Sequence, residues 1–461
     1  MLLNFVFNFK FVTNLRSDTK TVLVLSFIFF SQIIANLCHA TSIKHEGHGG
    51  PIMGLTTSPD RDLLVSTSFD YSVLVWQLDD IKEIKQLIGH DAAVNVAKFS
   101  NSGKLLATAG DDAKIFLWDF HKPVIPRTSR FILDEHTAKV VDLDFSRDDQ
   151  YLASASWDHS IKIWDAETGK LVKSIFGHDG PVNSVKFSED SQYLYSAGYD
   201  GTIRQWKLSD GDEVRTLVDN GWGVNVLMVD EVENLLLYGT IDGLMTIRSL
   251  DGQEVFIKIL EEGAPVSALK YYPDYKKAVF GNMNGRIIFI DLAKMKIQKD
   301  FLAVDGPVWD VVYNSENETL IVGGLDDTLI EWQLKSFHSN YFLPKTNDRR
   351  FQQTDALSNG ALQFARKCSI CHTLDSSEIG RRAGPPLLGV FGRKAGTISD
   401  YPYSDALLKS DIIWNEETIS QLFEKGPEIV TPGTKMPIQK IKRNEDRLDL
   451  INFLKDATRT N

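Results

Sequence analysis

Residues 66–76 read STSFDYSVLVW, and the same frame returns as TAGDDAKIFLW at 108–118, SASWDHSIKIW at 154–164 and SAGYDGTIRQW at 196–206. In each, an Asp stands six residues before a Trp: Asp70 with Trp76, Asp112 with Trp118, Asp158 with Trp164, Asp200 with Trp206. The frame runs on through Asp242, Asn284 and Asp326, with successive spacings of 42, 46, 42, 42, 42 and 42 residues. Seven units of this length, each with alternating apolar residues, predict seven four-stranded blades of a β-propeller.

A second regularity is more specific. Twenty-two residues before each of the first four Asp lies a His (His48, His90, His136, His178), and four residues before each lies a hydroxyl (Ser66, Thr108, Ser154, Ser196). At fixed spacing these can form one hydrogen-bonded chain per blade. The Asp accepts from the His and from turn amides, and the hydroxyl links the His to the Trp indole. A buried network of this kind stabilises only when every member is satisfied. The histidines are not read as metal ligands, because each has its own Asp and hydroxyl and no HxH or HxxxH pair occurs. With GH at 89–90 and 177–178 and WD at 118–119 and 164–165, the pattern resembles the WD-repeat propeller family over residues 41–335.

Units five to seven depart from the pattern. Asn220, Glu262 and Val304 stand at the His positions, Tyr238, Phe280 and Val322 at the hydroxyl positions, and Arg248, Ile290 and Trp332 at the Trp positions. Their strands still alternate, so the pleat is expected to survive without the polar network. After Trp332 no outer strand follows for the last blade. TSIKHEGH at 41–48 has the form of the strand that precedes each GH, so the N-terminal segment is expected to close the ring.

Residues 336–354 are polar, contain Pro344 and show no period, the reading of a linker. From 355 to 461 the character is helical, and CSICH at 368–372 is a CxxCH sequence. Two thiols at this spacing reach the two vinyl groups of one porphyrin, and the adjacent His372 falls under the iron. One covalent haem c is therefore expected on Cys368, Cys371 and His372. Downstream, RAGPPLLGVFGRKAG at 382–396 and PGTKMPI at 432–438 complete a likeness: residues 360–457 resemble class I, mitochondrial-type cytochrome c, a small all-α fold. The resemblance implies iron ligation by His372 and Met436, with Thr434 beside the latter. It implies that Pro385 accepts from the other nitrogen of His372, an arrangement that fixes such a ligand. It makes Arg393, Tyr403 and Trp414 the residues near the haem propionates. A helix at 445–458 would cross the one holding Gly360 and Phe364, with Leu450 and Phe453 in the crossing. Leu407 and Leu422 stand where the family usually has Asn and often Tyr, which implies a drier haem pocket. His/Met ligation fills both iron positions and raises the potential relative to two nitrogen ligands, as suits a carrier.

The formal net charge is -12; residues 1–40 hold about +2 and residues 351–461 about +1, so the stretch between holds about -15. Such acidity excludes nucleic acid as its partner and suits a basic redox protein. Of 3 cysteines, Cys38 lies apart from the CxxC, so no disulfide framework is expected. Residues 1–40 read as a signal peptide: Lys10, Arg16 and Lys20 precede an apolar run from Val22 to Phe30, and small residues follow at Cys38 and Ala40. The alternative is an uncleaved anchor, for which 21–37 is short and polar-broken. Export implies the periplasm, with a chain that is soluble after cleavage or held in a membrane complex. The expected function is electron transfer with a propeller docking module. The alternatives are a nitrite-reductase-like haem oxidoreductase, which would want eight blades and a channel histidine, and a redox-dependent assembly or sensory scaffold.

Overall fold

The computed structural model describes residues 42–120, 125, 126, 128–259, 263–335, 357–369, 371–374, 384–399, 401, 403, 405–431, 434, 436 and 440–459. Residues 1–40, read above as a signal peptide, and the linker 336–354 lie outside them.

Seven four-stranded antiparallel sheets follow one another along the chain. Six are built from consecutive strands. In the seventh the order is β1 (Ser42–Glu46), β28 (Thr328–Gln333), β27 (Thr319–Gly324), β26 (Val308–Asn314). Strand β1 pairs with β28 from Ser42 opposite Trp332 to Glu46 opposite Thr328, and His45 meets the Glu331 carboxylate at 3.1 Å. The first strand of the domain thus completes its last blade, and the ring has no open seam.

The network of the first four blades is present in full. The His Nδ1 lies 3.3, 2.9, 2.7 and 2.9 Å from Asp70, Asp112, Asp158 and Asp200. The His Nε2 lies 2.6, 2.9, 2.8 and 2.7 Å from Ser66, Thr108, Ser154 and Ser196. The same hydroxyls accept from the indoles of Trp76, Trp118, Trp164 and Trp206 at 2.8, 3.0, 2.9 and 2.7 Å. Because the hydroxyl accepts from the indole, its own proton points to Nε2, and the network assigns the Nδ1–H tautomer to the His. Burial alone would raise the four carboxyls. Hydrogen bonds and charge from the His, with those of turn amides and hydroxyls, outweigh it, so all four lie below the ordinary carboxylate range.

Blades five to seven keep their strands by other means. Trp332 donates to the Ala303 carbonyl at 3.2 Å, Asn282 accepts from the amides of Asn284 and Arg286, and Tyr238 and Phe280 fill with apolar surface the place of the buried hydroxyl.

One device was not visible in the sequence. The innermost strand of every blade carries a register shift one residue in, at Met53, Asn95, Val141, Asn183, Asn225, Ser267 and Trp309. All seven residues face the central channel. A bulge re-aims a side chain out of the ladder, and here four of them reach the next blade. Asn95 donates to the Val140 carbonyl at 3.1 Å, Asn183 to Val224 at 3.0 Å, Asn225 to Val266 at 3.0 Å, and Ser267 to Val308 at 2.6 Å. The ring is stitched around its axis as well as packed between blades. Further ion pairs lie at the channel wall: Lys186 with Asp142 at 2.6 Å, Lys98 with Asp144 at 3.0 Å and Lys270 with Asp310 at 2.9 Å.

The C-terminal region is helical, with α1 (Asn359–Lys367), α2 (Asp405–Leu408), α3 (Glu416–Lys425), α4 (Pro427–Val430) and α5 (Asn444–Ala457). Helix α1 starts at Ser358, whose hydroxyl accepts from the Ala361 amide, and α3 starts in a reciprocal cap between Asn415 and Thr418. Helices α1 and α5 cross at Gly360. A side chain there would meet the Asp449 carbonyl at 2.1 Å and Phe453 at 2.7 Å, so only glycine permits the approach. Phe364 packs on Phe453 with ring centres 5.6 Å apart, and Leu450 is fully buried beside them. This cluster also takes in Cys368, Ile419, Leu422, Phe423 and Leu454, and is a core separate from those of the blades. No helix among the described residues is long and apolar enough to cross a membrane.

Candidate functional site

Helix α1 ends at Lys367, and the chain then turns tightly. The amides of Cys371 and His372 both donate to the Cys368 carbonyl, at 3.1 and 2.9 Å. Cys368, Cys371 and His372 line an apolar cavity of about 1160 Å³, open mouth included. Thr431, Thr434 and Met436, from the loop after α4, line the same cavity. Arg393, Tyr403, Trp414, Leu407, Leu422 and Pro385 line the rest. The nine site residues expected from the sequence, and with them Leu407 and Leu422, therefore lie around one space.

The imidazole is fixed from behind. His372 Nδ1 donates to the Pro385 carbonyl at 2.7 Å, which makes Nε2 the nitrogen that carries the lone pair. Gly384 cradles the ring: a Cβ on it would lie 2.4 Å from His372 Cε1 and 2.6 Å from Nδ1. Glycine is thus needed at 384 for clearance, and the backbone carbonyl of residue 385 supplies the acceptor. Its loop is tied by the Gly384 amide to the Cys371 carbonyl at 2.7 Å and by Leu387 to Thr373 at 2.8 Å. Arg393 braces the same loop from below, donating to the carbonyls of Leu388 at 2.8 Å and Pro386 at 2.9 Å. It therefore acts on the loop that holds His372, a role the sequence did not disclose. The Thr434 hydroxyl accepts from the Met436 amide at 3.1 Å and so shapes the turn that brings the thioether to the cavity.

Burial pushes the Cys368 thiol up to about 12, with Cys371 adding to the effect. A neutral sulfur suits a thioether, which carries no charge, and disfavours a thiolate metal ligand. Burial also raises Tyr403, whose hydroxyl accepts from the Ile398 amide. Trp414 is held by an exchange with the opposite segment: its amide donates to Arg393 at 2.9 Å, and its carbonyl accepts from Gly392 at 2.8 Å.

Over residues 357–458 the chain matches the cytochrome c family. A cytochrome c from Cochliobolus lunatus is 43% identical over 109 residues, covering 98% of that protein and 24% of this chain. Those of Stellaria longipes (41% over 109 residues, 98% of that protein and 24% of this chain) and Arabidopsis thaliana (42% over 107 residues, 93% and 23%) are similar. The chain belongs to the cytochrome c family. Four further segments, 40–77, 81–119, 127–165 and 169–207, match a second family, WD domain, G-beta repeat. Each of these segments holds one complete His–hydroxyl–Asp–Trp network, and the match stops where the network stops.

The cytochrome c domain carries covalent haem c, and the cavity fits it. Two thiols, a braced imidazole and a thioether converge on one apolar slot, and the glycine cradle leaves the imidazole its room. Cys368 and Cys371 would hold the porphyrin, and His372 and Met436 would be the ligands to its iron. Haem held there supplies a reversible one-electron couple. The protein's own part is to keep both ligands in place through Pro385, Gly384, Arg393 and Thr434, and to exclude water. Leu407 and Leu422 both line the cavity, so apolar surface occupies positions where the family's polar residues would stand. Two further lining residues, Tyr401 and the propeller's Tyr71, had not been singled out in the sequence.

Proposed function

We propose that this cytochrome is an exported one-electron carrier whose acidic propeller docks and steers a basic redox partner. The observation that carries the reading is that His372 and Met436 line one apolar cavity together with Cys368 and Cys371; ligation of the iron by both would leave it no position for a substrate. Export rests on two independent features of the sequence, the signal-like residues 1–40 and the CxxCH motif, since haem is attached by this motif outside the bacterial cytoplasm. The periplasm is the compartment that meets both. The four regularly spaced histidines are engaged inside the blades, and the described channel wall carries Lys–Asp pairs and asparagines but no histidine, which favours a binding module over a second cofactor site. WD-type rings serve through their surfaces.

The charge division gives the reading a kinetic test. A near-neutral haem domain has little long-range attraction of its own, whereas about fifteen net negative charges beside it raise the encounter rate with a cation. Salt screens that term over about 8–10 Å. Electron exchange with a basic periplasmic redox protein is expected to be faster for the full chain than for residues 355–461, a fragment with its own core and the length of whole relatives. The advantage should shrink as ionic strength rises. Stopped-flow oxidation of both proteins across salt concentrations measures it. Equal rates and equal salt slopes would remove the steering role. Steady reduction of nitrite that requires the propeller would replace the carrier with an enzyme.

A further inference from the structure

The turn after the repeat's frame residue, an Asp or, in the sixth blade, Asn284, is left-handed in six blades. Its residue has φ of 73° at Tyr71, 61° at Ala113, 70° at His159, 84° at Gly201, 90° at Gly243 and 88° at Gly285. Glycine occupies three of these positions, as the geometry favours. A bulky L-residue there is strained, and such outliers gather where function over-determines the backbone. Tyr71 is the largest side chain in the series. The blade does not need it, since Ala113 and Gly201 make the same turn.

Its backbone is held rigidly. Asp70 and Ser72 on either side are buried in the first blade's network, and the Tyr71 amide donates to the Ser68 carbonyl at 3.2 Å. Its ring leaves the propeller. Tyr71 is the propeller's contribution to the haem cavity, on a lining that also holds Cys371, Gly396, Tyr401 and Tyr403. Tyr401 and Tyr403 stack edge to face with centres 4.6 Å apart. Other aromatics on this family of turns, Trp157 at 43% exposure and Tyr199 at 55%, face solvent.

We propose that Tyr71 is a wall of the haem crevice: the first blade presents it on a strained turn so that the propeller covers the side of the cavity next to Cys371. This goes beyond the carrier reading and does not depend on the identity of any partner. The residue positions and shields; it does not react. Burial pushes the Tyr71 phenol well above its ordinary range, so the covering group is neutral. A neutral, water-excluding wall disfavours the more positive ferric state and raises the potential. The propeller would then tune the couple as well as dock partners.

The test uses the full-length holoprotein. Tyr71→Gly places at the turn the residue that blades four to six already use, so the blade should fold at least as well as before. Its midpoint potential should fall, read as a several-fold drop in the reduced-to-oxidised ratio at a fixed solution potential. Tyr71→Phe should keep the wild-type value because the ring remains. Tyr199→Ala, on an equivalent turn but outside the cavity, should leave it unchanged. Nitration of Tyr71, followed by mass spectrometry, should be slower than that of Tyr199. A wild-type potential in Tyr71→Gly, an equal shift in Tyr199→Ala, or equal nitration of the two tyrosines would each overturn the proposal.

Discussion

Met436→Ala is expected to retain covalent haem, lose the sulfur-to-iron charge-transfer band of the ferric form and show a lower midpoint potential. Attachment depends on Cys368, Cys371 and His372, which are positioned by the turn after α1 and by the Pro385 loop. None of these contacts passes through Met436, so the haem should still be bound. The thioether favours ferrous over ferric iron, and its loss opens the distal side to water or to a nitrogen ligand. Both replacements lower the potential, within the span of roughly 0.8 V that axial ligands command. Thr434→Ala should act in the same direction and more weakly, because the Met436 amide loses its acceptor while the sulfur remains. Optical spectra and redox titration of the two variants distinguish these effects. An unchanged band in Met436→Ala would assign the ligand to another residue.

The second large effect lies in the propeller. Asp70 accepts from His48 Nδ1 at 3.3 Å, from the Gly49 amide at 2.5 Å, and from the amide and hydroxyl of Ser72 at 2.9 and 2.5 Å. The carboxylate is fully buried. Asp70→Ala strands these donors away from water, and each buried donor left unpaired costs about 1–3 kcal/mol. Since some can find new partners, a loss of about 3–5 kcal/mol at pH 7 is expected. The pH dependence has a definite sign. Burial raises the Asp70 carboxyl, but the charge and hydrogen bonds of His48, with those of Ser72 and Gly49, lower it further, and the net position is below the ordinary 3.8. The unfolded chain therefore binds the proton more readily. Its contribution to stability is complete above the unfolded pKa of about 3.9 and is lost as pH falls through the lower folded value. Thermal unfolding from pH 7 to pH 3 should show wild type losing stability more steeply below pH 4 than Asp70→Ala. Parallel curves would mean that the Asp70 carboxyl is not held in its anionic form by the network.

Much of this architecture could be read from spacing. The His, hydroxyl, Asp and Trp of the first four blades form an internally satisfied set, and such sets leave a rigid imprint on sequence. The missing outer strand after Trp332 pointed to residues 41–48, and Ser42–Glu46 fills that place. Blades five to seven were legible only through the persistence of the 42-residue period, because apolar packing tolerates many side chains. The channel bulges were not legible at all. Asn, Ser, Met, Val and Trp occupy them in turn, and what they share is a backbone register rather than a residue type. In the haem domain the motif residues converge as their order implied, and His372 bonds Pro385 as the resemblance suggested. Arg393 was legible as a buried cation but not as a brace for that loop, since its carbonyl partners could be any residues. Tyr71 left one faint signal: a bulky side chain at a turn position where the later blades carry glycine.

One haem c, held by Cys368, Cys371, His372 and Met436, is the expected redox cofactor of the whole chain. Intact mass and optical spectrum of the full-length holoprotein test this directly. The expected result is a mass higher than the polypeptide by one haem, together with a low-spin spectrum showing the sulfur-to-iron band when oxidised. A chain without covalent haem, a second haem bound in the propeller, or a high-spin spectrum with an open iron position would contradict it.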